Sequence, residues 1–215
     1  MKKSLQKSIR VFNTIFLGIF MSLFLLVTKA SAQKCKPDHS KLDKIEKKQV
    51  DAWTAELFET SFGGRMMNSS AVYIIFSIAR IDTSNFVQIQ LSKAESSVRN
   101  QLFESSLKGA KGNEFYFGIK DGEPLKFVAD EATNQTKAGS LSGTMITTVE
   151  LASYIKNEDL QRVKNALTSK VIDATRIKLE NGVVIDQSVK EKKGEKVMEK
   201  AVCFFNFLQE KGYMK

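Results

Sequence analysis

Cys35 and His39 stand close together near the start of the sequence, and a thiolate beside an imidazole suits a soft metal ion. A closed tetrahedral site needs two further ligands. His39 is the only histidine and Cys203 the only other cysteine, so no second pair completes the set. EF-hand spacing and H-E-x-x-H are absent as well. No metal and no other cofactor is expected.

Nucleophilic serine chemistry needs a base and an orienting acid beside the hydroxyl. Residues 139–143 (GSLSG) have the flanking glycines of a nucleophile elbow, but the central position is Leu141, which carries no nucleophile. Ser105 with Lys108 and Ser153 with Lys156 match S-x-x-K without the S-D-N and K-T-G elements that accompany it in enzymes, and they read as helix-surface residues. No segment nominates a pair of carboxylates for glycoside hydrolysis. Asp43, Glu46, Asp51, Glu56 and Glu59 alternate with lysine as the solvated face of a helix does. Residues 109–112 (GAKG) beside Lys108 have the composition of a phosphate cradle, yet they follow a predicted helix instead of preceding one and read as a C-cap and turn. No catalytic residue is assigned.

The 215 residues include 33 basic and 24 acidic side chains, a formal charge of +9, with 42% apolar residues, 12 glycines and 2 prolines. A chain this apolar can bury enough surface to fold, which excludes a disordered, collagenous or low-complexity polymer. Much of the excess charge is local. Lys2, Lys3, Lys7 and Arg10 precede an apolar run over residues 15–27, and Ala30, Ser31 and Ala32 follow it. Charged, apolar and small-residue regions in that order predict a Sec-type signal peptide over residues 1–32, cleaved between Ala32 and Gln33. The rival is an uncleaved anchor, since residues 11–14 lengthen the run, although Asn13 and Thr14 weaken that end. Lipidation at Cys35 is set aside, because Ala32, Gln33 and Lys34 do not match the apolar and small residues of a lipobox. Cleavage removes five basic residues and no acid, leaving 28 basic and 24 acidic side chains, a net +4. Nucleic acid is therefore not an expected partner. Residues 33–215 are expected to form a single domain.

Within it, Leu42, Ile45, Val50, Trp53 and Leu57 fall on one face at helical spacing, with Ser40 as N-cap, and predict an amphipathic helix over residues 41–60. Residues 71–79 and 86–91 predict a hairpin whose first strand is buried on both faces. Ser92 and Glu95 form a capping box for a second helix reaching Leu107. Asp121-Gly122 predicts a hairpin between residues 115–120 and 125–130, and the polar residues 131–143 a loop. A strand at 145–151, a helix at 158–167, a hairpin at Asn181-Gly182 and a final helix over 188–212 complete the expectation. The final helix is basic at its start, with Lys190, Lys192, Lys193, Lys196 and Lys200. It is apolar along Val197, Ala201, Phe204, Phe205 and Leu208, a stripe that must be buried in the core or against a partner.

An offset of 60 pairs Ile89 with Val149, Phe103 with Val163, Phe117 with Ile177 and Asp121-Gly122 with Asn181-Gly182. This is read as a duplicated strand-helix-hairpin unit, against the alternative that any chain of mixed helices and strands yields some such register. The fold class expected is α+β: an antiparallel or mixed sheet covered by about four helices. Cys35 and Cys203 are even in number and bound for an oxidising compartment, which predicts a disulfide. The rival has Cys203 buried as a small apolar residue and Cys35 unpaired.

Residues 167–205 run from a helix end through Ala174, Thr175, Arg176 and Ile177 and the Asn181-Gly182 hairpin into a lysine-rich helix bearing Cys203. The pattern resembles small exported bacterial proteins of uncharacterised function. The motifs are structural, so what the resemblance implies is export and α+β architecture, without any ligand or catalytic residue. The expectation for function is an exported, non-enzymatic binding or interaction module whose partner is a protein, an apolar ligand or the envelope surface. The alternative is a hydrolase whose carboxylates are brought together only by the fold. Convergent acids in a closed cleft would favour the enzyme, and a dry phenylalanine-lined cavity a carrier.

Overall fold

Apolar residues at every second position give this chain strands far more often than helices. A computed structural model describes residues 35–42, 48–59, 71–96, 107–138 and 144–214. In chain order the elements are β1 (His39–Leu42), β2 (Gln49–Glu59), β3 (Ala71–Ile81), β4 (Ser84–Ser96), β5 (Glu114–Ile119), β6 (Leu125–Val128), β7 (Glu131–Ala138), β8 (Thr144–Ile155), α1 (Leu160–Ser169), β9 (Ile172–Lys178), β10 (Val184–Ser188) and α2 (Glu191–Glu210). They belong to one unit, Pro37–Lys215. The signal peptide expected over residues 1–32, with the cleavage site at Ala32 and Gln33, lies outside the described residues.

The strands form two antiparallel sheets, β1-β2-β3-β4-β8-β7 and β10-β9-β5-β6. The described fold is mostly β with two helices, which corrects the expectation of a sheet covered by four. Residues 41–60 hold two strands in place of the first predicted helix. Trp53 and Leu57 satisfy the helical spacing, but Trp53, Ala55 and Leu57 also alternate, and it is this period that is buried against β3 pairing. The capping box at Ser92 is overridden in the same way. Ser92–Ser96 pair with β3 on one side or β8 on the other, and Ser92 shares a hydrogen bond with Thr148 at 3.0 Å. Phe103 lies outside the described residues. The predicted loop at 131–143 contains β7, an edge strand whose polar side chains are mostly exposed; it needs only backbone pairing with β8. The β3 strand is buried on one face, through Ile74, Phe76 and Ile78, while Ile75 and Ser77 on the other are half-buried.

The 60-residue offset takes an unexpected form. β4 and β8 are antiparallel neighbours with Gln90 opposite Glu150, and β5 and β9 are antiparallel neighbours with Glu114 opposite Lys178. Strand order therefore mirrors itself about both centres, β3-β4-β8-β7 and β6-β5-β9-β10. The expected strand-helix-hairpin repeat does not stand as written, because strand occupies the start of its first helix.

The core has two parts. α2 covers β2 and β3, where fully buried Trp53 meets Phe204 edge-on at 5.6 Å and Phe207 at 5.2 Å. The four-stranded sheet contributes Phe115, Phe117 and Phe127, and Phe76 of β3 meets Phe117 at 5.4 Å. The aromatic stripe of α2 is thus consumed by the core. Gly194 lets α2 approach the start of β9, since a Cβ there would sit 2.1 Å from the Ile172 carbonyl oxygen. Gly194→Ala should destabilise by about 1–3 kcal/mol despite alanine's better helix propensity, because backbone must move to admit the methyl. Urea denaturation checks this, and a gain of about 1 kcal/mol, the propensity effect alone, would contradict it.

Candidate functional site

The outward side chains of the four-stranded sheet form a polar array. Phe115, Phe117 and Ile119 of β5 point inward, so Glu114, Tyr116 and Gly118 point out. Strand register then lines up Asp186, Arg176, Tyr116 and Lys126 across all four strands. The adjacent row is Val184, Lys178, Glu114 and Val128, and on the other side lie Ser188, Ala174 and Gly118.

Charges within the array cancel locally. Glu114 accepts from Lys126, from the Tyr116 hydroxyl and from Lys178 at 3.2 Å. Lys178 also lies 3.3 Å from the Tyr116 hydroxyl oxygen, and the Lys178 and Lys126 ammonium groups stand 5.0 and 5.7 Å from the ring centroid. Arg176 grips Asp186 through two bonds, Nε to Oδ1 at 2.5 Å and Nη2 to Oδ2 at 3.0 Å. These bonds move every shifted group in the array away from neutrality. Hydrogen bonds from Lys126, then Tyr116 and Lys178, lower Glu114 from 4.5 to about 2. Asp186 is lowered by Arg176, Lys126 is raised by Glu114, and Lys178 is raised by Tyr116 and Glu114.

For Glu114 the folded value lies below the unfolded one. Its contribution to stability is therefore present above about 4.5 and lost as pH falls through about 2. Carboxyl carbon NMR should find a Glu114 midpoint near 2, moving up in Lys126→Ala. A midpoint at 4.5 in the unaltered protein would show the cluster unformed in solution.

Beside the array is an open cleft of about 450 Å³ lined by Tyr116, Gly118, Pro124, Ala174, Arg176 and Ser188, with Asp186 and Gln187 completing one wall. Its floor is Gly118 and Ala174. A Cβ at Gly118 would lie 2.9 Å from both the Ala174 Cβ and Asp173 Oδ1, so the depth depends on the missing side chain. The β5–β9 register shifts here: Gly118 faces Ala174 and Ile119 faces Ile172, leaving Asp173 as the extra residue of a bulge. Bulges often re-aim side chains beside functional sites.

No family model, curated protein or solved structure matches this chain.

The motifs singled out in the sequence lie elsewhere. Cys35 and Cys203 are disulfide-bonded, as expected, which also removes Cys35 as a metal ligand beside His39. Among the described residues no group of three or more His, Cys, Asp or Glu gathers to hold a metal. Ser153 is buried on strand β8, not on a helix, and Lys156 is exposed 3.9 Å from Glu158. Ser105 and residues 139–143 lie outside the described residues, and Lys108 is exposed 4.0 Å from Glu180. Residues 109–112 form a turn, with the Gly109 N–H and carbonyl both bonded to the Asn134 side chain at 2.8 Å. The basic start of α2 is partly internal: Lys193 pairs with Glu56, and Lys200 with Asp38 at 2.5 Å. No described helix is long and apolar enough to cross a membrane.

Glu114, Tyr116, Lys126, Arg176, Lys178 and Asp186 were not legible as a group. All but Asp186, which stands between half-buried Ile185 and Gln187, have a buried apolar neighbour that marks an outward strand position, but only register reveals that opposite charges face one another.

Proposed function

We propose that this chain is an exported binding module and that the outer face of the four-stranded sheet is its docking surface. The observation that carries the reading is the pairing of charge around an open cleft. Glu114 and Asp186, the carboxylates of the array, are each held ionised by cations, with values pushed down and away from neutrality. A general acid or base works best with a pKa near the operating pH, so these groups suit hydrogen bonding to a bound molecule and not proton transfer. The aromatic residues meet ring to ring in the core, and the cleft, though more apolar than polar in its lining, carries Arg176, Asp186 and Ser188, groups that a polar ligand would engage and an apolar one would only desolvate. Export rests on the order of regions in residues 1–32, the resemblance over residues 167–205 and the disulfide.

A fluorine NMR fragment screen tests this, comparing the exported protein with Ala174→Leu, which fills the cleft floor. Hits should bind the unaltered protein and be lost from the variant, whose melting temperature stays within about 2 °C because the side chain points into open space. Hits that are indifferent to Ala174→Leu, or turnover of glycosidic or ester substrates, would overturn the reading.

A further inference from the structure

The geometry points to a neutral oligosaccharide as the ligand of the cleft, an inference that rests on the binding reading above. The two charges that line the cleft hold each other, Arg176 gripping Asp186 through two bonds, and in the adjacent row Glu114 is met by Lys178 and Lys126. An anionic ligand would have to displace Asp186 or Glu114, and a cationic one would have to displace Arg176 or a lysine. Breaking such a pair leaves one partner uncompensated, a cost that a neutral ligand avoids.

A paired guanidinium and carboxylate keep spare hydrogen-bonding capacity, since Arg has five N–H donors and a carboxylate about four acceptor positions. Ser188, outward like Asp186 on β10, adds a hydroxyl that donates and accepts on the same wall. A sugar hydroxyl also does both, whereas an apolar ligand would strip water from these groups and return nothing.

Tyr116 and Pro124 present rings to the cleft, and Gly118 and Ala174 give it a floor without projecting side chains. The C–H faces of a pyranose match such a surface, and aromatic rings combine apolar contact area with a polar edge. At about 450 Å³ the cleft lies within the range of small-molecule sites, and it is open, as a chain that continues past the site requires.

The test uses the exported protein with its disulfide intact and six neutral probes: the hexasaccharides of cellulose, laminarin, chitin, xylan, mannan and starch. Each is titrated to millimolar concentration by calorimetry and by amide chemical-shift mapping. At least one should bind, moving the amides of Gly118, Ala174 and Gln187. Tyr116→Ala and Arg176→Ala should each weaken it about tenfold, the loss expected when a hydrogen bond to a charged group or an aromatic contact is removed. Ser188→Ala, which disturbs no ion pair, should weaken it in the same sense, so the inference survives a failure of Arg176→Ala to fold. Raising the salt concentration should leave the affinity within about twofold, because no net charge is neutralised on binding. Fragments that dock in the cleft while all six hexasaccharides fail would overturn this inference and leave the binding reading standing. Failure of both would overturn both. Binding that ignores Tyr116→Ala and Ser188→Ala, or that falls steeply with salt, would also overturn it.

Discussion

Breaking the Cys35–Cys203 disulfide should cost this protein on the order of 5 kcal/mol, the value that chain entropy gives for closing a loop of about 170 residues. The bond stabilises mainly by limiting the unfolded chain. Strain or residual structure in that ensemble lowers the measured figure, so 5 kcal/mol is an upper expectation. Cys35→Ser is the better variant. Cys203 is 2% exposed within α2, and serine there would add the desolvation of a buried hydroxyl to the loss of the bridge. Cys35→Ser should lower the melting temperature by roughly 10–20 °C, and a reducing agent should do the same to the unaltered protein while leaving the variant unchanged. A melting temperature insensitive to both would mean that the bridge contributes nothing to folding.

The second large effect is at Trp53. Its ring is fully buried between β2 and α2 and touches Phe204 and Phe207, so the cavity left by alanine opens where sheet and helix meet. Trp53→Ala should destabilise by about 3–5 kcal/mol, from lost apolar transfer, lost ring contacts and incomplete collapse of the cavity. Trp53→Phe keeps the edge-on packing and should lose less than half of that. Denaturant unfolding of the two variants decides the matter. Equal losses would show that volume at this position is unimportant, and no loss from Trp53→Ala would remove Trp53 from the core.

These two sites differ in how far the sequence revealed them. The disulfide followed from the number of cysteines and the export expected from residues 1–32, and α2 from its stripe of Val197, Ala201, Phe204, Phe205 and Leu208, every member of which is buried. The β5–β6 and β9–β10 hairpins were announced by their turn dipeptides, Asp121-Gly122 and Asn181-Gly182. Asp121 and Gly182 have positive φ, +54° and +78°, the conformation that such residues tolerate. Trp53 was marked as buried but placed in the wrong element. Its segment fits a period of 3.6 through Val50, Trp53 and Leu57 and a period of 2 through Trp53, Ala55 and Leu57, and only pairing with β3 selects between them. β7 escaped notice because an exposed edge strand carries no apolar alternation to detect. The candidate site was illegible for a related reason. Glu114, Lys126, Lys178 and Asp186 lie on four strands, and their complementarity is a property of register, which no local window contains.

Docking on the four-stranded sheet is decided by a structure of the disulfide-bonded protein bound to its tightest fragment or sugar. The ligand should lie on the Gly118–Ala174 floor, in contact with Tyr116, with Arg176 still holding Asp186 and Lys178 still beside Glu114. A ligand seated on the outer face of the six-stranded sheet, or one that has displaced Asp186 from Arg176, would contradict it.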